Sequence, residues 1–235
     1  VKIDLTKGLW VVAVLILAGG LTRLGSIGND NGGKQIDAVV DQSVFGGLAV
    51  VAADAVWIWG QDRWEHRDEA GTRKAIRLAT HLAPESLYFW INGARIIAYD
   101  LPTWPREQAG WAARVYARES LVLLAEVEGR HGKSPYYWIE RGSIALNAAQ
   151  DYAAAAEWFR EASTKEHAPF FAARLHGELL ERLGRTGEAY RWWRDLHPTL
   201  PATDIEAQAD LVLLRIRRLE AELRVSMVER YRLNP

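Results

Sequence analysis

The side chains best suited to metal ligation or proton transfer near neutral pH are the six histidines His66, His81, His131, His167, His176 and His197. None sits in a paired ligand spacing such as His-Glu-x-x-His, which sets two imidazoles on one helix face around a metal, so each reads as a surface or capping residue. Glu65 beside His66, and His176 near Glu178, are the acid-base neighbours that any helical surface produces. Residues 129–134, GRHGKS, end like a phosphate-binding P-loop. That loop needs a glycine where Val127 stands, a strand before it and a helix opening at its lysine, so that backbone N–H groups cradle phosphate. Here a helical pattern precedes and Pro135 follows, and an ordinary inter-helix loop is the expectation. No Gly-x-Ser-x-Gly elbow occurs. The absence of cysteine removes thiolate nucleophiles, disulfides and cysteine-ligated zinc together, while leaving the redox compartment open. Arg215, Arg217 and Arg218 could dock on phosphates or lipid headgroups, but interleaved Glu220 and Glu222 make a solvated face the better reading. The chain is therefore expected to be no enzyme, with no catalytic, cofactor-binding or metal-binding residues and no small-molecule substrate.

Binding chemistry remains, and helices must present it. Gly177, Gly184, Ala189, Trp193 and Pro201 are spaced by seven, five, four and eight residues. Two helices of roughly 12–15 residues that cross closely need a small residue at the crossing and a large one beside it, and a period of about 34 residues supplies both; this lattice resembles the tetratricopeptide repeat. Trp138, Gly142, Tyr152, Ala155, Phe159 and Ala162 form a second copy, in register only if one extra residue sits in the turn around residues 148–151. Gly60, Ala79 and Pro84 fit a weaker copy. Trp90 opens another, with residues 92–94 at the close contact, and the prolines of residues 100–108 (DLPTWPREQ) interrupt it. The chain restarts as a predicted helix over 111–128, with Val115, Leu121, Val122 and Ala125 as its apolar residues. Residues 204–232 read as one long capping helix, with Ile205, Ala209, Val212, Ile216, Leu219 and Leu223 inward and Arg215, Arg217, Arg218 and Arg224 on the wet side.

With 235 residues, 49% apolar and 25% charged, the chain can bury a sizeable core in one large or two small domains. A net charge of −1 gives no field that would draw it to nucleic acid. Eleven tryptophans must each bury a ring and satisfy an N–H, a demand that helix-pair packing suits. Residues 8–21, GLWVVAVLILAGGL, lie between Lys2 and Lys7 on one side and Arg23 on the other. A span needs about 20 apolar residues, reached here by including the small residues up to Ile27. An uncleaved membrane anchor over 1–24, with Trp10, Val14 and Leu17 facing lipid, is the expectation; a secretory signal peptide and a buried helix are the alternatives. The cation bias places the N-terminus inside and the body on the outer face, periplasmic in a two-membrane bacterium. Residues 25–42 begin GSIGNDNGG and read as a linker. A second apolar stretch, residues 44–60, has Asp54 in its middle, which disfavours a span; a buried first helix is expected.

Residues 43–104, with Gly46 and Gly47, Ala53 and Asp54 before an aliphatic-Trp pair, and a Pro-containing end to the first helix pair, are similar to membrane-anchored tetratricopeptide-repeat proteins of bacteria. That resemblance, over about residues 8–201, implies an all-α solenoid at 43–202, a capping helix at 203–235, and a scaffold role in a larger membrane complex, with no catalytic residues carried over. The partners implied are proteins and, through the anchor, the bilayer. The candidate binding wall is built from the first helix of each pair, where Tyr137, Glu140, Arg141, Arg174, Glu178 and Glu181 are expected to point outward. Trp104, between its prolines, is expected to be an exposed contact aromatic. The alternative function is a peptide-recognition or chaperone-like module that takes transient clients in the same groove.

Overall fold

The computed structural model describes residues 34–104 and 109–232, and every regular element among them is helical. The expected anchor with Trp10, Val14 and Leu17, and the linker up to residue 33, lie outside the described residues. Among the described residues no helix is long and apolar enough to cross a membrane. The chain falls into two compact units, one ending at Gly93 and one starting at Ala94.

The first unit opens with α1, Lys34–Glu65, a helix of 32 residues. It begins inside the segment expected to be linker, because the chain has neither glycine nor proline from Lys34 until Gly46. Arg67, at φ 55°, turns the chain. Asp68 then caps α2, Glu69–Leu82, by accepting from the Gly71 N–H at 2.9 Å. α1 and α2 pack through Ala53, Val56, Ala75 and Ala79, with Ala83 and Phe89 completing the cluster. Gly60 lets the two backbones approach: a Cβ there would stand 2.6 Å from the Ala75 Cβ. α3, Leu87–Arg95, brings Gly93 against Ile76 of α2 in the same way.

In the second unit α3 runs on as a π turn, Ile96–Asp100, and a 3-10 turn, Leu101–Thr103. Then come α4, Ala109–Ala125; α5, Glu128–His131; and α6, Pro135–Ile144, extended by a π turn over Ala145–Ala149. α7, Tyr152–Ser163, α8, Phe170–Arg182, α9, Thr186–Leu196, and α10, Ala209–Glu222, complete it. From α6 onward each helix packs on the next in sequence. The pairs α6–α7 and α8–α9 are built alike. Gly142 faces the Phe159 ring, where a Cβ would stand 3.0 Å from two ring carbons, and Gly177 faces the Trp193 indole, where it would lie inside van der Waals contact.

The extra residue of the earlier pair does not sit in the turn. It is absorbed within the helix by the π turn Ala145–Ala149, which Gln150 at φ 57° closes and the Asp151 N–H to Ala145 carbonyl bond seals at 2.9 Å. A widened last turn leaves no later residue of that helix to be rotated out of register. The α8–α9 corner instead turns on Gly184 at φ 72°.

Three sequence expectations need correction. The helix expected over 204–232 is only Ala209–Glu222, because Gln208 at φ 51° precedes it and Arg224 at φ 53° ends it in a Schellman turn, with the Val225 N–H on the Glu220 carbonyl at 2.9 Å. Val212, Ile216 and Leu219 are its buried stripe, whereas Ile205 and Leu223 are exposed. In α4 the buried face is Ala117, Ser120, Leu123 and Leu124; Val115 and Val122, two turns apart, line the wet side. His131 and His176 are buried rather than surface residues.

Candidate functional site

The wall expected from the first helices is occupied by the chain itself. Tyr137 is fully buried and donates to the Leu124 carbonyl at 2.9 Å; burial pushes its phenol above the ordinary value. Glu140, 3% exposed, accepts from Arg95 at 2.9 and 2.6 Å. Arg141 bonds Glu128 at 2.6 Å and lies 4.6 Å over the Trp158 ring. These three are covered because α4, α5 and the end of α3 fold over that face of α6. On α8, Arg174 donates to the Glu206 and Ala207 carbonyls, Glu178 accepts from Arg215 at 2.6 Å, and Glu181 accepts from Trp193 at 2.8 Å, from Arg215 at 3.3 Å and from Arg218. Arg215 and Arg218 are thus no free wet face: α10 packs on α9, and its arginine side chains reach the carboxylates of α8 expected to bind a partner. Trp104 is half-buried, its N–H closing the 3-10 turn onto Leu101 at 3.2 Å.

A polar cavity of about 390 Å³ opens between α7, α8 and α9. His176 lines it, 4% exposed, with Nδ1 2.7 Å from the Ala156 carbonyl and its ring edge-on to Trp192 at 4.4 Å. A carbonyl only accepts, so Nδ1 carries the proton, and burial lowers the His176 pKa below the ordinary value. Around the mouth Arg185 holds Glu188 at 2.8 and 2.7 Å, and Arg160 holds Glu157 at 3.0 Å. Three arginines and three carboxylates line the cavity, so it draws neither cations nor anions strongly.

Among the described residues, one uncovered apolar surface lies in the first unit. α1 buries Ala52, Ala53, Val56 and Gly60. On its opposite side Val50, Val51 and Ile58 are exposed, with Asp54 among them, and Tyr88 stands exposed beside Trp57 at 5.9 Å. The sequence marks this stretch as apolar and a buried first helix is expected; α2 and Phe89 of α3 cover one side of it, and the opposite side stays exposed. The missed signal is that apolar residues run around both sides of α1, more than α2 can cover. No protein-family model matches the chain, and none of the curated proteins matches it either.

Proposed function

We propose that the chain is a non-catalytic scaffold subunit: a tetratricopeptide-like helical body, held at a bacterial inner membrane by residues 1–24 with its N-terminus inside, that joins protein partners into a larger membrane complex. The observation that carries this reading is the stacking of like-built helix pairs. Gly142 with Phe159 and Gly177 with Trp193 repeat one crossing, each helix from α6 packs on the next, and α10 closes the stack with ion pairs. Repeats of this kind serve as surfaces, and the apolar run of residues 8–21 with its flanking lysines supports the anchor.

The client-capturing alternative loses its residues, because Arg141 and Arg174 are engaged within the chain. Extraction from native membranes in a mild detergent, followed by sizing, tests the scaffold reading. A complex well above the 26.5 kDa of one chain is expected, and a lone chain in its micelle would sink it.

A further inference from the structure

The outer side of α1 carries a seam of its own. Gly47, Val51, Asp54, Ile58 and Gln61 are exposed and follow one another at spacings of four, three, four and three residues, with exposed Val50 beside them. That is the heptad spacing by which one helix offers holes to the knobs of another. Val51 and Ile58 are 59% and 61% exposed, more than single scattered apolar residues explain when they share one stripe. A Cβ added at Gly47 would meet nothing within 4 Å, so the seam is open there to a close-packed neighbour.

Asp54 decides what the neighbour is. A second copy packed in parallel would set Asp54 against Asp54, two like charges in a dry seam. An antiparallel copy in another register would bury each carboxylate against an apolar residue. A bilayer would leave it in hydrocarbon without a cation. A helix of a different protein with apolar residues at the facing positions and one lysine or arginine level with Asp54 satisfies both the stripe and the charge. We propose that the outer side of α1 docks such a basic-centred partner helix; this rests on the scaffold reading and names its contact.

The test uses the full chain in native membranes, sized in mild detergent, as wild type, V51E/I58E, D54K and the control V122E, whose exposed valine on α4 lies off the seam. All four positions are exposed, so unchanged circular-dichroism melting is expected throughout. V51E/I58E and D54K should each lower the assembled fraction about tenfold or more, as removal of a desolvated ion pair does, while V122E leaves it unchanged. An assembled V51E/I58E chain overturns the docking surface and leaves the scaffold reading standing. Unchanged assembly of D54K overturns the basic partner, and a complex of two identical chains overturns the heteromeric one. A wild-type chain found alone overturns the scaffold reading and this proposal with it.

Discussion

Replacing Gly177 by alanine sets two effects against each other. A glycine inside a helix costs about 1 kcal/mol relative to alanine, so an unhindered G177A would stabilise α8 by that amount. The new methyl, however, would stand 2.6 Å from Cε2 of Trp193, where ordinary contact begins near 3.4 Å. Trp193 is fully buried, and its indole N–H is bonded to Glu181 at 2.8 Å. Glu181 is itself held by Arg215 and Arg218, so the ring cannot swing aside without moving α9 and loosening α10. Overpacking of this kind costs roughly 1–3 kcal/mol, and a tied ring places it in the upper part. The net loss is about 1–2 kcal/mol, a fall of roughly 3–6 °C in the thermal midpoint followed by circular dichroism. Gly187, with nothing within 4 Å of its added Cβ, is the matched control, and G187A should hold or slightly raise the midpoint. Equal stabilisation by both substitutions would refute the crossing at Gly177 as a close contact.

Glu220, 2% exposed, is pushed up by burial, but Arg217 at 2.9 Å, the Tyr231 N–H at 2.6 Å and the Tyr190 hydroxyl together hold its pKa below the ordinary carboxylate value. Its contribution is then present above the unfolded value near about 4.3 and lost as pH falls through the lower folded one; E220Q should lose about 1–3 kcal/mol at pH 7 and show a shallower acid limb in urea titrations. E181A strips the buried Trp193 N–H of its acceptor and should lower urea stability by about 1–3 kcal/mol, whereas E166A, at an exposed side chain, should not. Nitrogen-15 imidazole spectra should show His176 with its proton on Nδ1 at pH 7. Its depressed pKa favours the unfolded state as pH drops below the unfolded value near about 6.5, so H176Q should flatten that part of the stability profile; an Nε2–H tautomer would contradict the Ala156 bond.

The helical class and the crossings at Gly142 and Gly177 were legible because a small residue opposite an aromatic at fixed spacing is a local pattern. What covers a helix is not local. Glu178 and Glu181 look solvent-facing on α8 until α10, some thirty residues later, brings Arg215 and Arg218 to them, and Arg174 until the segment before α10 offers it the Glu206 and Ala207 carbonyls. Val115 and Val122 could serve as a core stripe as well as Leu123 and Leu124 do, and only the packing of α4 chooses between the faces. The stop at Arg224 carried no glycine to announce it, because an arginine takes the left-handed position. α1 misled in the other direction: its apolar content was plain, but that its outer side from Gly47 on lacks cover follows only from seeing that α2 and Phe89 of α3 reach the other side.

The central claim is that partner contact runs through the outer side of α1 and not through the first-helix wall. A photo-crosslinking residue placed at Ile58, or separately at Glu178, and activated in intact native membranes tests it most directly. The account predicts an adduct to a different protein chain from position 58, and from position 178 only links within the chain to the helix bearing Arg215. An intermolecular adduct from position 178 with none from position 58 would contradict it.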